Sequence, residues 1–361
     1  MHKLGIQKST MAYNTLSLSP TEVLSSTLEN MKNLRYLNAF NWDVRNNSDE
    51  IMRMAAKSEE RYKQGKPLSA IDGIPISFKD NYLVKNMPST AGSKILKDFI
   101  PPLDATLVRR WKEAGAIVIG KTNMDEFGMG SFNFYADKIP VNPIDPDLVV
   151  GGSSGGAAVA TASYQGMAAF GTDTGGSVTF PANCWSIYGF KPSYGRLSRH
   201  GVILYSSSND APGILAQSME DIISMLNIVD GEDKFDSNSI QFNEQEFPNS
   251  LKGIRVGIAR EFNISELPKQ RVAEQLKIID ILEDQGAEVI EVSIPLLKQI
   301  LPIYYTIIPA EAASNLSRYD GLKYGLQSKT IKNEDSKINY EEYVKRIRTE
   351  GFGINGRFYL R

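Results

Sequence analysis

The stretch Gly151–Ala182, GGSSGGAAVATASYQGMAAFGTDTGGSVTFPA, constrains this chain more than any other. Two glycine-rich turns bracket it. The first, Gly151 to Gly156, carries Ser153 and Ser154; the second, Gly171 to Ser177, carries Asp173, Thr174, Gly175, Gly176 and Ser177. Between them the small side chains from Ala157 to Gly166 predict a helix lying close to neighbouring backbone, and Met167 to Phe170 predict a short apolar strand. The order turn, helix, strand, turn brings two hydroxyl-bearing loops to one end of a sheet, where glycine lets backbone N–H groups approach a substrate oxygen. Gly/Ser-rich runs are more often plain loops or phosphate cradles. A linker, however, would not enclose an apolar helix and strand.

The composition narrows the field. With 361 residues, 42% hydrophobic and 23% charged, the chain is long enough for one large or two modest domains. A net charge of -2 gives no overall basic excess for nucleic acid. No run reaches eighteen apolar residues, so no membrane span is expected. The single cysteine, Cys184, excludes an internal disulfide. With only His2 and His200, no Cys/His zinc site is expected.

Residues 1–19 read as a weakly transit-like leader or a frayed end. Amphipathic helices follow at Ser19–Leu34 and Ser48–Gln64. Ile74, Ile76 and Phe78 alternate as a half-buried strand does, and the run ends on Lys79, just before Asp80 and Asn81. A lysine at a strand end is ordinarily a solvated surface group. Buried there, its pKa would fall far enough to make it a base. A helix at Asp104–Ala114 and a strand at Ala116–Ile119 come next. Gly115–Thr122 spells the GxxxxGKT phosphate loop, but its four middle residues are apolar and three are β-branched, so they are the strand itself and the nucleotide reading is rejected.

Further on, Ser218 opens a helix with Asp221 in its capping box and Met219, Ile222, Ile223 and Leu226 facing inward. Gly231–Ser250 reads as an exposed, acid-rich insertion. Ile254–Ala259, Pro268–Gln285 and Ala287–Val292 make a β-α-β unit, a helix runs from Pro309, Gln327–Ile338 is a polar loop and Asn339–Thr349 is helical. This alternation argues an α/β chain with a mixed sheet.

The central serines need a base. Gly151–Gly155 also spells the G-x-S-x-G nucleophile elbow, yet that reading rests on His200, which lies in an arginine-rich loop with no obvious acid before it. A Cys184/His200 pair is disfavoured because Cys184 sits in an apolar run and reads as a packed core thiol. A lysine made neutral by burial is the available alternative.

Three segments together resemble the amidase signature family over essentially the whole chain from about Leu37: Gly73-Ile74-Pro75-Ile76 with Lys79-Asp80-Asn81, Gly151-Gly152-Ser153-Ser154-Gly155-Gly156, and Gly171-Thr172-Asp173-Thr174-Gly175-Gly176-Ser177. Within that family, Thr122–Gly130, Tyr194–Arg199 and Glu311–Gly321 are similar to the glutaminase subunits that serve tRNA-dependent amidotransferases.

The resemblance implies an amidase signature fold, a mixed twisted sheet with helices on both faces, as one domain over residues 20–361. It implies Ser177 as nucleophile, Ser153 on a cis peptide bond as proton relay, Lys79 as base, and the N–H groups of Gly175, Gly176 and Ser177 as oxyanion hole. Gly128, Asp173, Thr174 and Arg357 are its substrate-binding candidates. The implied reaction is glutamine hydrolysis, with ammonia passed to a B-type amidotransferase subunit that amidates Glu-tRNA(Gln) using ATP and Mg, beside a small accessory subunit. No metal or cofactor is implied in this subunit. The implied location is the mitochondrial matrix, or the cytoplasm of a bacterium. The alternatives are a stand-alone small-molecule amidase and a non-catalytic assembly subunit.

Two departures qualify the transfer. Thr179 and Phe180 follow the nucleophile where the family usually has an arginine at the first of these positions, and the chain stops at Arg361 where the family continues. Weak glutamine turnover by this chain alone is therefore expected.

Overall fold

The computed structural model describes residues 3–44, 48–242, 248–262, 267–323, 325–327 and 338–360. It divides into two compact units, residues 1–241 with 310–361 and residues 242–309.

The first unit is built on a six-stranded mixed sheet. In chain order its strands are β1 (Phe40–Asp43), β2 (Pro75–Lys79), β3 (Ile117–Thr122), β4 (Ala168–Asp173), β5 (Tyr188–Phe190) and β6 (Ala211–Ala216), and in space they run β1-β3-β2-β4-β6-β5. The pairs β2–β3 and β2–β4 are parallel, and the other three are antiparallel. β2 thus lies inside the sheet, flanked on both sides by parallel strands.

Side-chain alternation shows that helices cover both faces. Ala168 and Phe170 of β4 and Ile214 of β6 join one apolar cluster with Ile6 and Tyr13 of α1 (Ile6–Asn14), Trp111 of α4 (Thr106–Glu113) and Met225 of α7 (Met219–Val229). Ala169 and Leu215, pointing the other way, pack with Ala157 to Ala160 of α5 (Gly155–Ala162) and Ala182 of α6 (Thr179–Cys184). Ile117 and Ile119 of β3 meet Leu24 and Met31 of α2 (Pro20–Asn33) and Ile51 and Ala55 of α3 (Ser48–Lys63). Double coverage corrects the half-buried expectation for β2, in which all five residues are buried.

Other expectations change for local reasons. Residues 1–19, read as a leader or a frayed end, contain α1, whose Ile6 and Tyr13 are buried and whose Gln7 N–H donates to Asp221 Oδ1 at 3.1 Å. α5 stops at Ala162 because Tyr164 takes a left-handed φ of 57°, and β4 continues past Phe170 to Asp173. Ser218 caps α7 as expected, accepting from Asp221 N–H, but the inward residues are Asp221, Ile222, Met225 and Val229, while Met219 and Ile223 are exposed. The insertion after Gly231 is a strap rather than an exposed loop up to Ser239. Asp233 accepts from Ser198 Oγ at 2.5 Å, and Asp236 pairs with the buried Arg199. Residues 243–247 of that stretch, and 328–337 of the later polar loop, lie outside the described residues.

The second unit holds the β-α-β element: β7 (Arg255–Ala259) and β8 (Glu288–Val292) pair in parallel, with α8 (Lys269–Asp284) between them in sequence. The helix expected from Pro309 begins earlier. It is α9 (Ile300–Leu316), with Pro309 inside it, and its residues from Ala310 belong to the first unit. The chain ends in α10 (Tyr340–Gly351) and α11 (Ile354–Tyr359). Among the described residues no helix is long and apolar enough to cross a membrane.

Candidate active site

The carboxyl ends of the parallel strands β2 and β4 place Lys79 and Thr172 together. Lys79 is completely buried, and its Nζ lies 2.8 Å from Ser153 Oγ, 3.0 Å from Thr172 Oγ1 and 3.3 Å from Thr172 O. The amine donates to all three oxygens; once it is neutral, two N–H groups suffice for the Thr172 oxygens and its lone pair is free to accept the Ser153 hydroxyl proton. Thr172 Oγ1 is held in turn by Asn81 Nδ2 at 3.1 Å. Burial lowers the Lys79 pKa from 10.5 to about 8, against the opposing carboxylates of Asp210, Asp125 and Asp173.

Ser153 sits on the first glycine-rich turn, where the Gly152–Ser153 peptide is cis. Glycine is required at 152, because a Cβ there would press on the Phe132 N and on Asp125. Ser154 N–H donates to Ser177 O at 3.2 Å, which lays the two turns side by side. Gly156, at the start of α5, packs on the backbone of Asn123 and Ala39, explaining the run of small residues.

The second turn is organised by Asp173. Its buried carboxylate accepts from Gly176 N–H and Val178 N–H at 2.8 Å each and from Thr179 N–H at 3.3 Å. This corrects two expectations. Asp173, expected to bind substrate, holds the turn that carries Ser177, and the Gly176 amide, expected in the oxyanion hole, donates to Asp173. The amides of Gly175 and Ser177 have no protein acceptor among the described residues. Thr174 also differs from expectation, because its hydroxyl donates to Asp210 Oδ1.

Gly128 is placed beside Ser153. It takes a φ of +82°, and a Cβ there would lie 3.5 Å from Ser153 Oγ. The nearby Glu126 is buried and accepts from Ser93 Oγ at 2.6 Å and from Gly353 N–H at 2.8 Å, fastening α11 to this loop. Arg357 lies on α11, but it is exposed and its guanidinium contacts Gly353 O at 3.4 Å, so no substrate-facing role is visible. Of the rejected groups, His200 contacts Thr106 and stacks on Phe235, Cys184 is half-buried, and Lys121 of the phosphate-loop spelling is buried against Asp80 and Ser89. Sequence reading missed Thr172, Asp125, Glu126 and Asp210. Thr172 had a usable signal, since it lies in the turn motif itself, five residues before Ser177.

The Amidase family profile matches residues 22–356. The mitochondrial A-type subunit of glutamyl-tRNA(Gln) amidotransferase from Drosophila pseudoobscura pseudoobscura is 38% identical, over 96% of this chain and 69% of its own length. The A-type glutamyl-tRNA(Gln) amidotransferase protein of Orientia tsutsugamushi is also 38% identical, over 97% of this chain and 72% of its own. Among solved structures, the corresponding A-type protein from Thermotoga maritima aligns with a TM-score of 0.74 at 30% identity, covering 99% of this chain and 72% of that one. Native peptide amidase from Stenotrophomonas maltophilia aligns with a TM-score of 0.77 at 25% identity, covering 96% and 78%. A match that runs through all three motif segments, on a shared fold with a buried lysine at the paired turns, makes this chain a member of the amidase signature family.

Proposed function

We propose that the chain is the glutaminase subunit of a glutamyl-tRNA(Gln) amidotransferase, with Lys79, Ser153 and Ser177 as its catalytic residues. Ser177 Oγ attacks the side-chain amide carbon of glutamine. Its proton passes to Ser153, whose own proton passes to Lys79 Nζ. The amides of Gly175 and Ser177 stabilise the oxyanion. Collapse of the tetrahedral intermediate breaks the C–N bond, and ammonia leaves with the proton returned through Ser153. Water then hydrolyses the glutamyl ester on Ser177. The observation that carries this reading is the 2.8 Å contact between the buried Lys79 Nζ and Ser153 Oγ.

In the same reading this subunit works in a heteromeric complex. A B-type partner consumes the ammonia and spends ATP with Mg to amidate Glu-tRNA(Gln), beside a small accessory subunit. This subunit itself holds no metal or cofactor. The insect relatives named as mitochondrial support a mitochondrial location, and the bacterial relatives support a cytoplasmic alternative.

A second reading, a stand-alone amidase for small apolar amides, is favoured by one observation. Phe180, three residues beyond Ser177, meets Phe132 edge-on at 5.9 Å, and Phe132 meets Phe134 at 5.7 Å, so an apolar group lies close to the nucleophile turn in sequence and contact. The test is to co-express the chain with candidate partner subunits and compare glutamine-dependent amidation of Glu-tRNA(Gln) with hydrolysis of an apolar anilide. Amidation requiring the partners supports the first reading. Anilide turnover that exceeds glutamine turnover with or without them supports the second.

A further inference from the structure

Asp210 is almost completely buried beside the centre just described, yet it touches none of the three residues assigned to the chemistry. The strand register puts it there. β4 and β6 pair antiparallel with Asp173 opposite Ala211, so the residue before Ala211 falls level with Thr174 at the start of the nucleophile turn. One carboxylate oxygen of Asp210 accepts from Thr174 Oγ1. The other accepts from Tyr205 N–H at 2.6 Å and from Ser206 N–H at 3.1 Å.

The loop it grips borders the site. A Cβ on Gly128 would lie 3.5 Å from Ser153 Oγ and 3.7 Å from the Tyr205 side chain. Ser206 Oγ donates to Glu311 Oε2 at 2.5 Å, Asn315 Nδ2 donates to Tyr205 O at 3.2 Å, and Tyr205 OH lies 3.2 Å from Tyr359 OH on α11. One carboxylate thus joins the nucleophile turn to a loop that α9 and α11 hold from behind.

We propose that Asp210 is a positioning residue that clamps the nucleophile turn to the Tyr205–Ser206 backbone and supplies a fixed negative charge facing Lys79. The charged groups around Lys79 are the carboxylates of Asp210, Asp125 and Asp173, and no carboxylate bonds to its amine directly. Around Asp210 stand Lys79, the buried Tyr82 phenol and, through Ser206, Glu311. Burial raises the Asp210 pKa to about 6, so Asp210 is ionised through the range in which Lys79 titrates. Asp125 and Asp173 hold only backbone amides of their own loops, whereas Asp210 bridges two loops.

The inference rests on the proposed roles of Lys79, Ser153 and Ser177, and the test separates the two. Phenylmethanesulfonyl fluoride is the probe. Ser177 Oγ forms a bond to sulfur, the S–F bond breaks, fluoride leaves, and the hydroxyl proton passes through Ser153 to Lys79. Inactivation rates are measured from pH 6 to 10, and the labelled residue is located by mass spectrometry.

In Asp210→Asn the limiting rate at high pH is expected to fall about tenfold, the low end for loss of a geometric constraint. Its inflection is expected to move to lower pH by about one unit, because removing an anion makes the ammonium easier to deprotonate. Thr174→Val breaks the clamp and leaves the charge, so its rate falls while its inflection stays in place. An Asp210→Asn inflection that is unchanged or raised, or a Thr174→Val rate equal to wild type, overturns the proposal. If Asp210→Asn does not fold, the comparison of Thr174→Val with Thr174→Ser decides: recovery in the serine variant supports the clamp, and equal rates overturn it. Labelling at a residue other than Ser177 defeats the reading of the catalytic residues instead.

Discussion

Replacing Lys79 by methionine is expected to abolish activity and, at neutral pH, to stabilise the protein. The Lys79 pKa falls from 10.5 to about 8 because burial penalises the ammonium more than the Asp210, Asp125 and Asp173 carboxylates support it. A lysine whose pKa is lower in the fold binds its proton more tightly in the unfolded chain. The charge therefore favours unfolding in full below pH 8, less so between pH 8 and 10.5, and not at all above that range. A depression of this size corresponds to about 3 kcal/mol.

Methionine removes that penalty at every pH. It also leaves the buried Ser153 and Thr172 hydroxyls without the amine, costing about 1 to 2 kcal/mol independent of pH. The variant is thus more stable than wild type by about 1 to 2 kcal/mol at pH 7 and less stable by a similar amount above pH 10.5. With a Tm change of about 2 °C per kcal/mol in a large domain, a swing of roughly 6 °C separates the two ends of the range. Thermal unfolding of both proteins followed by circular dichroism across pH 7 to 11 measures it, and the other titrating groups largely cancel in the difference. A stability difference that does not change with pH would refute the burial argument for Lys79.

Three further outcomes follow from the geometry. Ser153→Ala and Lys79→Met should each lose most glutamine-dependent turnover, and the double variant little more, because members of one relay act as a unit; rate losses that multiply would argue against a shared proton path. Thr172→Val should lower kcat by about tenfold with little change in KM, because one of the two acceptors that orient the Lys79 lone pair is gone; a rise in KM alone would move Thr172 into substrate binding. Gly156→Ala should cost about 3 kcal/mol or more, since its Cβ lands on the backbone of Asn123 and Ala39 and no side-chain rotation relieves it; a Tm within one or two degrees of wild type would contradict that packing.

The site was legible in the sequence where local pattern and chemistry coincide. Apolar residues leading into Lys79 announced a strand, and the near absence of histidine left lysine as base. The pattern understated burial, because alternation at Ile74, Ile76 and Phe78 says nothing about what covers the other face, and helices cover both. Roles that depend on distant backbone were hidden. Asp173 and Thr174 sit in the motif, but that Asp173 holds the turn and Thr174 donates to Asp210 follows from register and turn geometry, which residue spacing does not encode. Asp210 lies 33 residues beyond Ser177 and reaches Thr174 only through the antiparallel pairing of β4 with β6. The N-terminal residues read as a leader or a frayed end because their charge and hydroxyl content is ordinary for either. Their anchor, Asp221, is more than two hundred positions away, and no local pattern reveals it.

The central claim is that Ser177 becomes acylated when glutamine gives up its amide nitrogen. The most direct measurement is rapid quenching in acid of the chain, assembled with its partner subunits and glutamine, followed by peptide mass spectrometry. The account predicts a glutamyl ester on the peptide containing Ser177, formed within the first turnover and absent from Ser177→Ala, which should still support amidation from added ammonium salt. A glutamyl adduct on another residue, or glutamine-dependent turnover retained in Ser177→Ala, would contradict it.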